Sequence, residues 1–123
     1  MFEIEFYEDQ NGFSELNEEL LCLARRSTTS KDARIQFKQF SYCIEMLKQQ
    51  GTRLPENITK HLDGEVWELR PGNNRVLYFY CERNTYVLLH MFRKKTQKTP
   101  RSEIEKAERE IADYKRRKGG RQL

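Results

Sequence analysis

The first residues of the chain alternate apolar and acidic side chains, as a half-buried strand does. In FEIEFY, residues 2–7, this alternation has a period of two residues. Apolar side chains then recur every three or four positions in two segments, 13–23 and 33–47, which are separated by RRSTTS. This spacing predicts two amphipathic helices that form an αα-hairpin.

Capping residues mark the predicted bounds of the second helix. Thr29 and Asp32 have the spacing of a capping box, and Gly51 fits the helix end. After Pro55, three apolar runs, EVWELR, RVLYFYC and TYVLLHMF, are separated by the turn sequences PGNN and ERN. These runs predict a three-stranded antiparallel meander.

A last helix is predicted after Pro100, where apolar residues again recur at helical spacing. Residues 119–123 are expected to form a disordered tail. The predicted fold is therefore α+β, in a single domain over residues 1–118. It has an N-terminal strand, a two-helix hairpin, a meander that joins the first strand in one sheet, and a C-terminal helix.

Charge is distributed unevenly along the 123 residues, although the net charge is only +4. Residues 1–64 hold 8 Lys and Arg against 11 Asp and Glu, a balance of −3, whereas residues 65–123 hold 15 against 8, a balance of +7. A cationic half favours a polyanionic partner, most often nucleic acid. No apolar run is long enough to span a membrane, and the N-terminus is acidic. We therefore expect a cytoplasmic protein without a membrane partner.

Soft metal ligands are few and scattered. The three cysteines, at positions 22, 43 and 81, have no paired spacing, and neither histidine, His61 or His90, has a second soft ligand beside it. The sequence therefore predicts no disulfide framework, no metal site and no other cofactor.

The geometry of the predicted meander brings cations together at one sheet edge. Alternation places Arg70 and Arg75 at neighbouring ends of paired strands, within reach of one anion. In an antiparallel order, the last strand ends beside the start of the second, which adds Lys94, Lys95 and Lys98. The sequence thus predicts a phosphate-binding edge with five cations.

The sequences LDGEVWELRPGNNRVLYFY and VLLHMFRKKTQKTPRSEIEKAEREIADY closely resemble the HigB branch of the RelE/ParE toxin superfamily of type II toxin–antitoxin systems. The resemblance is strong over the second half of the chain and extends to the order of elements in the first. It implies a ribosome-dependent endoribonuclease, an mRNA interferase that cuts translated messenger RNA in the decoding site and arrests growth. Such cleavage is metal-free, by attack of the RNA's own 2′-hydroxyl.

The resemblance also implies site residues. Arg75 matches the phosphate-contacting strand arginine of the family, Arg70 the basic position on the preceding strand, and Lys94, Lys95 and Lys98 the basic segment after the last strand. RNA or ribosome contacts are expected from further cations at the segment and on the last helix: Arg93, Arg101, Lys115, Arg116 and Arg117.

Structural roles remain open for several of these residues. Arg70 and Arg75 could instead pair with Glu68, and the lysines could form a solvated turn. His90, expected on the strand face shared by Tyr86 and Leu88, is more often a core histidine than a catalyst. Lower-ranked catalytic candidates are Glu68, His90 and Tyr114, and Tyr114 also fits the apolar stripe of the last helix.

The expected partner is a HigA-like helix-turn-helix antitoxin that contacts mainly the acidic N-terminal helices, besides messenger RNA and the ribosome. Two other functions remain open. A ParE-like toxin would inhibit DNA gyrase with the same fold, and a plain nucleic-acid-binding module would have no turnover. The convergent Arg and Lys residues favour the nuclease.

Overall fold

The computed structural model describes the backbone of residues 1–121 and the side chains of residues 1–118. Along the chain, its elements are β1 (Glu3–Phe6), α1 (Glu15–Arg26), α2 (Lys31–Gln50), a 3₁₀ turn (Gly51–Arg53), β2 (Thr59–Asp63), β3 (Val66–Leu69), β4 (Asn74–Cys81), β5 (Thr85–Arg93) and α3 (Arg101–Arg121). The predicted α+β class and the predicted order of elements are confirmed. The backbone of α3 is assigned through residue 121, and residues 122–123 lie outside the described part. The predicted disorder of the tail, residues 119–123, stays a prediction.

A five-stranded mixed sheet, in the order β1-β5-β4-β3-β2, forms the centre of the molecule. The pairs β2–β3, β3–β4 and β4–β5 are antiparallel, and β1 lies parallel to β5. The predicted meander therefore has one additional strand, β2, at its free edge. Its sequence, TKHLD, alternates too weakly to predict a strand, since only Thr59 is buried.

The helices cover both faces of this sheet. Helices α1 and α2 pack on one face through a cluster that contains Leu16, Phe40 and Leu47. Helix α3 packs on the other face through Ile104 and Ile111. The helical periodicities of the sequence therefore correspond to buried stripes, except that Phe13, predicted as the first member, precedes α1 and is half exposed.

The helix caps differ in detail from the prediction. Helix α2 is capped by Ser30, whose Oγ accepts a hydrogen bond from the Ala33 N–H at 3.1 Å, and not by Thr29. Gly51 ends α2 as predicted, with a φ of 59° that glycine adopts without strain. Among the described residues, no helix is both long and apolar enough to cross a membrane.

A β-bulge in β5 changes the face on which His90 lies. Leu77 pairs with His90 while Tyr78 pairs with Leu88, so Leu89 is an additional residue in the strand. After this extra residue, His90 faces α3 and bonds to its side chains. The prediction that His90 shares a face with Tyr86 and Leu88 was wrong.

Candidate active site

The expected juxtaposition of strand ends is present at one edge of the sheet. Arg75, near the start of β4, is paired with Phe92, and Asn74 is paired with Arg93 at the end of β5. The N–H of Lys94 donates to the carbonyl of Asn73 at 2.8 Å. The lysine segment after β5 therefore begins beside the arginine of β4.

A pocket of about 250 Å³ opens between this edge and the start of α3. Its lining includes the predicted residues Arg75, Lys94 and Lys95, together with Thr99 and Glu103. Both lysines are exposed and form no salt bridge within the described residues. Lys98 is also exposed but does not line the pocket.

Arg75 is held in place by the loop that precedes β4. Its Nη1 donates to the carbonyls of Gly72 and Asn74, both at 2.8 Å. Burial lowers the pKa of Arg75 below its usual value, Glu68 opposes this effect, and Arg70 adds to it. The guanidinium nevertheless remains charged at any physiological pH. Arg75 thus presents a fixed positive charge at the pocket.

Arg70 has a different environment, although it lies near Arg75. Its Nε donates to Oε2 of Glu68 at 3.0 Å and its Nη1 to the carbonyl of Glu56 at 3.1 Å. Arg70 does not line the pocket. Its geometry is that of the structural ion pair left open by the sequence.

Glu68 is almost fully buried beneath the pocket, with 1% of its surface exposed. Besides Arg70, its carboxylate faces Nε of Arg75 at 4.0 Å and accepts a hydrogen bond from Oγ1 of Thr99. Glu68 therefore connects β3, β4 and the lysine segment. A carboxylate with three partners is well suited to hold this segment over Arg75.

His90 is buried beside the pocket and does not line it. Its Nδ1 lies 2.5 Å from Oε1 of Glu110, its Nε2 lies 3.0 Å from Oε1 of Glu103, and 1% of its surface is exposed. Glu103 is itself partly exposed and lines the pocket. His90 therefore contacts Glu103, a residue that lines the pocket, but does not itself line it.

The sequence reasoning missed Glu103. A signal for it exists, because Glu103 and Glu110 are seven residues apart and flank the apolar stripe that packs on the sheet. A histidine in an apolar strand needs polar partners when it is buried. The bulge that directs His90 toward these two carboxylates could not be read from the alternation.

Tyr114 lies in a separate hollow of about 360 Å³ that is formed with β1. Its ring packs on Phe79 with centroids 5.6 Å apart, and its hydroxyl donates to Oε1 of Glu5 at 2.8 Å. Burial and the contact with Glu5 raise the pKa of Tyr114 above its usual value. The tyrosine is a packed member of the α3 stripe, and it does not line the pocket of Arg75.

The four predicted ribosome-binding cations on α3 are all paired with carboxylates. Arg101 bonds Asp63 at 2.7 Å, Lys115 bonds Glu65 at 2.5 Å, and Asp113 pairs with both Arg116 and Arg117. Arg93 has no such partner within the described residues and lines the pocket. Of the cations that the sequence predicted for the site, those without a carboxylate partner within the described residues are therefore Arg93, Lys94, Lys95 and Lys98.

The chain is similar to a known protein family and to solved structures. The family model described as phage derived protein Gp49-like (DUF891) matches residues 28–112. No curated protein sequence matches the chain. Among solved structures, RelE in its complex with RelB from Pyrococcus horikoshii is similar, with a TM-score of 0.53 and 12% identity over 76% of this chain and 94% of that chain.

A second similar structure is the YoeB–YefM toxin–antitoxin complex from Staphylococcus aureus. Its TM-score is 0.50 and its identity is 12%, over 78% of this chain and 98% of that chain. At this identity the likeness concerns the fold. The α+β fold with its mixed sheet is therefore shared with RelE and YoeB, which confirms the fold expected from the sequence.

Proposed function

The chain belongs to the family of phage derived Gp49-like proteins, and on this basis we propose that it is the toxin of a bacterial type II toxin–antitoxin system. Its activity is that of an endoribonuclease that cleaves translated messenger RNA at the ribosome. The resemblance of residues 62–80 to the HigB branch supports the finer assignment to HigB-like toxins. The cytoplasm is the compartment in which such a substrate occurs.

The pocket at the sheet edge is the observation that carries this proposal. Arg75, Arg93, Lys94 and Lys95 converge on it. Within the described residues, Arg93, Lys94 and Lys95 form no ion pair, in contrast to Arg101 and Arg116, and Arg75 faces only the buried Glu68, at 4.0 Å. Preorganised cations stabilise the charge that develops on a phosphate during transfer. The pocket is thus suited to phosphodiester chemistry.

The reaction proceeds by attack of a 2′-hydroxyl oxygen on the adjacent phosphorus. The new O–P bond forms as the bond to the 5′-oxygen breaks, which leaves a 2′,3′-cyclic phosphate and a 5′-hydroxyl. Arg75 and the lysines stabilise the pentacoordinate phosphate. A base must take the proton of the 2′-hydroxyl, and an acid must give one to the leaving oxygen.

Glu103 is the carboxylate best placed to move these protons. It lines the same pocket as Arg75, and its Oε1 is oriented by Nε2 of the buried His90. A base that is held by a second group is the usual arrangement in acid–base catalysis. Lys94 and Lys95 are the other proton-transfer candidates, since both line the same pocket as Arg75.

The antitoxin partner is a HigA-like helix-turn-helix protein that binds α1 and α2. Leu21, Ile35 and Tyr42 expose 44%, 45% and 57% of their surfaces on these helices. Ile35 and Tyr42 are seven residues apart and therefore share one face of α2. Large apolar side chains on a charged helix pair are typical of a partner surface.

The proposal is tested by induced expression of the chain in growing bacteria, with the 5′ ends of messenger RNA mapped and DNA supercoiling measured. New messenger RNA ends within translated regions are expected. Arg75→Ala should reduce cleavage about 10²- to 10³-fold, since it removes one preorganised charge. Arg53→Ala, on the 3₁₀ turn, is the control. Lost supercoiling without RNA cleavage would indicate a gyrase inhibitor instead.

A further inference from the structure

A second groove lies on the opposite side of the sheet edge from the pocket of Arg75. It has a volume of about 250 Å³ and is formed by α1, α2 and the paired ends of β4 and β5. Its lining includes Arg26, Gln36 and Asn74, and it shares Phe92 and Arg93 with the pocket. The groove and the pocket therefore meet at the end of β5.

The groove has its own cation, which the sequence analysis did not single out. Helical periodicity brings Glu19, Cys22, Leu23 and Arg26 to one side of α1, and all four line the groove. Within the described residues, neither Arg26 nor Arg93 forms a salt bridge, in contrast to Arg101 and Arg117. Two guanidiniums thus face the groove without a carboxylate partner.

Neutral hydrogen-bonding groups at the base of the groove are fixed in place. Nδ2 of Asn74 donates to Oε1 of Gln36 at 3.0 Å, and Nε2 of Gln36 donates to Oδ2 of Asp32 at 2.6 Å. Asn74 is 6% exposed. The groove therefore combines preorganised polar groups with the apolar side chains of Leu23, Met91 and Phe92, and this preorganisation limits the entropy lost on binding.

One acidic side chain, Glu19, also lines the groove. Burial, and secondarily the charge of Glu15, raises the pKa of Glu19 above its usual value. The oxygens of its carboxylate can accept a hydrogen bond from a base amino group.

We infer that this groove is a second nucleotide subsite for single-stranded RNA, in which Arg26 and Arg93 bind the phosphate next to the one held by Arg75. The inference rests on the proposed function, because it places the same RNA strand across both sites. The inference rests on the continuity of the two sites. Arg93 lines both of them, and an RNA strand that leaves the pocket over Phe92 enters the groove. If the pocket and the groove bound two unrelated ligands, they would have no need to share the guanidinium of Arg93.

The test is a binding titration with two 2′-O-methyl oligonucleotides, which cannot be cleaved by 2′-hydroxyl attack. The dinucleotide has one phosphate and fills the pocket alone, whereas the pentanucleotide reaches both sites. Binding is followed by nuclear magnetic resonance at several salt concentrations. Arg26→Ala is compared with Arg25→Ala, which removes an exposed charge from the same helix turn but does not line the groove.

Arg26→Ala should weaken pentanucleotide binding about fivefold at 0.1 M salt and lower the slope of log K against log salt by about 0.7, the value of one phosphate contact in a single strand. It should leave dinucleotide binding unchanged. Arg25→Ala should change neither. Arg93→Ala should weaken both oligonucleotides, because its guanidinium lines both sites.

Equal effects of Arg25→Ala and Arg26→Ala would overturn the subsite, since the charge would then act without a contact. An unchanged pentanucleotide affinity in Arg26→Ala would overturn it as well, and so would a parent protein that binds neither oligonucleotide. Failure of the proposed function has a different signature. The expected binding pattern without messenger RNA cleavage in cells would support the subsite and reject the nuclease.

Discussion

The Nε atom of Arg70 lies 3.0 Å from Oε2 of Glu68, a carboxylate with only 1% of its surface exposed. Nε of Arg75 faces the same oxygen at 4.0 Å, and Thr99 donates to the other oxygen. The buried charge of Glu68 therefore connects the two strand arginines with Thr99, which follows Lys98 in the lysine segment. The candidate site is built around this carboxylate, although Glu68 does not line the pocket.

Glu68→Gln should lower the free energy of unfolding by about 1–3 kcal/mol, because buried partners are left imperfectly satisfied. Urea unfolding measures this change. Glu65→Gln is the matched control, since Glu65 lies on the neighbouring turn and pairs with Lys115 at the surface. An exposed pair of this kind contributes at most about 1 kcal/mol. Lost RNA cleavage with unchanged stability would instead assign a chemical role to Glu68.

Glu103→Gln should reduce RNA cleavage about 10²-fold or more, the usual contribution of a general acid or base. It should leave oligonucleotide binding nearly unchanged, because the phosphate contacts belong to the cations. Single-turnover cleavage on ribosomes gives the rate, and a binding titration gives the affinity. Glu105→Gln, an exposed change two residues further along α3, is the control. Equal rates for the two variants would assign proton transfer to the lysines.

Much of the fold could be predicted from the sequence because strong periodicities determine it. The stripes of α1, α2 and α3 and the alternation of β4 correspond to the two faces of the observed sheet. The convergence of Arg75 with Lys94 followed from antiparallel pairing alone. β2 was missed because an edge strand needs few buried residues.

The chemistry of the candidate site was harder to predict, since it depends on local irregularity and on long-range packing. The extra residue Leu89 shifts His90 to the α3 face, and this shift creates the contact that orients Glu103. Alternation cannot reveal a bulge, because it assumes a regular register. Likewise, helical spacing could place Arg26 on a face of α1 but could not show that β5 ends beside it.

His90→Ala should lower the free energy of unfolding by about 2–3 kcal/mol, because it removes two hydrogen bonds and leaves Glu103 and Glu110 without their buried partner. Thermal or urea unfolding measures the loss. His61→Ala is the control, since His61 is exposed and its Nε2 bonds only the carbonyl of Gly64. A stable His90→Ala variant without RNA cleavage would support the catalytic alternative for this histidine.

Asp113 should make stability depend on pH in the acidic range. Hydrogen bonds from Arg117 and then from Tyr7 lower the pKa of Asp113 below its usual value. The folded state therefore binds this proton less readily than the unfolded chain. The stabilisation is complete above the ordinary aspartate pKa of about 3.9 and is lost as the pH falls below it. Asp113→Asn should flatten the acid limb of the stability curve, and Glu82→Gln, an exposed change, should not.

The acid limb is measured as the urea midpoint between neutral pH and pH 2. Its slope compares the protons bound by the folded and unfolded chains. If Asp113→Asn and the parent lose stability in parallel, the Arg117 contact does not persist in solution. High salt should weaken the effect, because the pair of Asp113 and Arg117 lies near the surface.

The antitoxin surface can be tested with two tyrosines of similar exposure. Tyr42 and Tyr80 expose 57% and 45% of their surfaces, but Tyr42 lies on α2 and Tyr80 near the far end of β4. Tyr42→Ala should weaken the antitoxin complex at least about 20-fold, as truncation of an aromatic anchor does in protein interfaces. Tyr80→Ala should leave its affinity unchanged. Both affinities are measured by calorimetry with the antitoxin encoded beside the toxin.

Hydrogen exchange of free and bound toxin locates the contact independently of mutation. Protection should fall on residues 13–50, because the exposed apolar side chains of Phe13 and of helices α1 and α2 lie there. Inhibition is then steric, and the cations of the pocket stay accessible to short oligonucleotides in the complex. Protection confined to residues 70–98, with oligonucleotide binding lost, would mean that the antitoxin fills the pocket itself and that Tyr42 serves another contact.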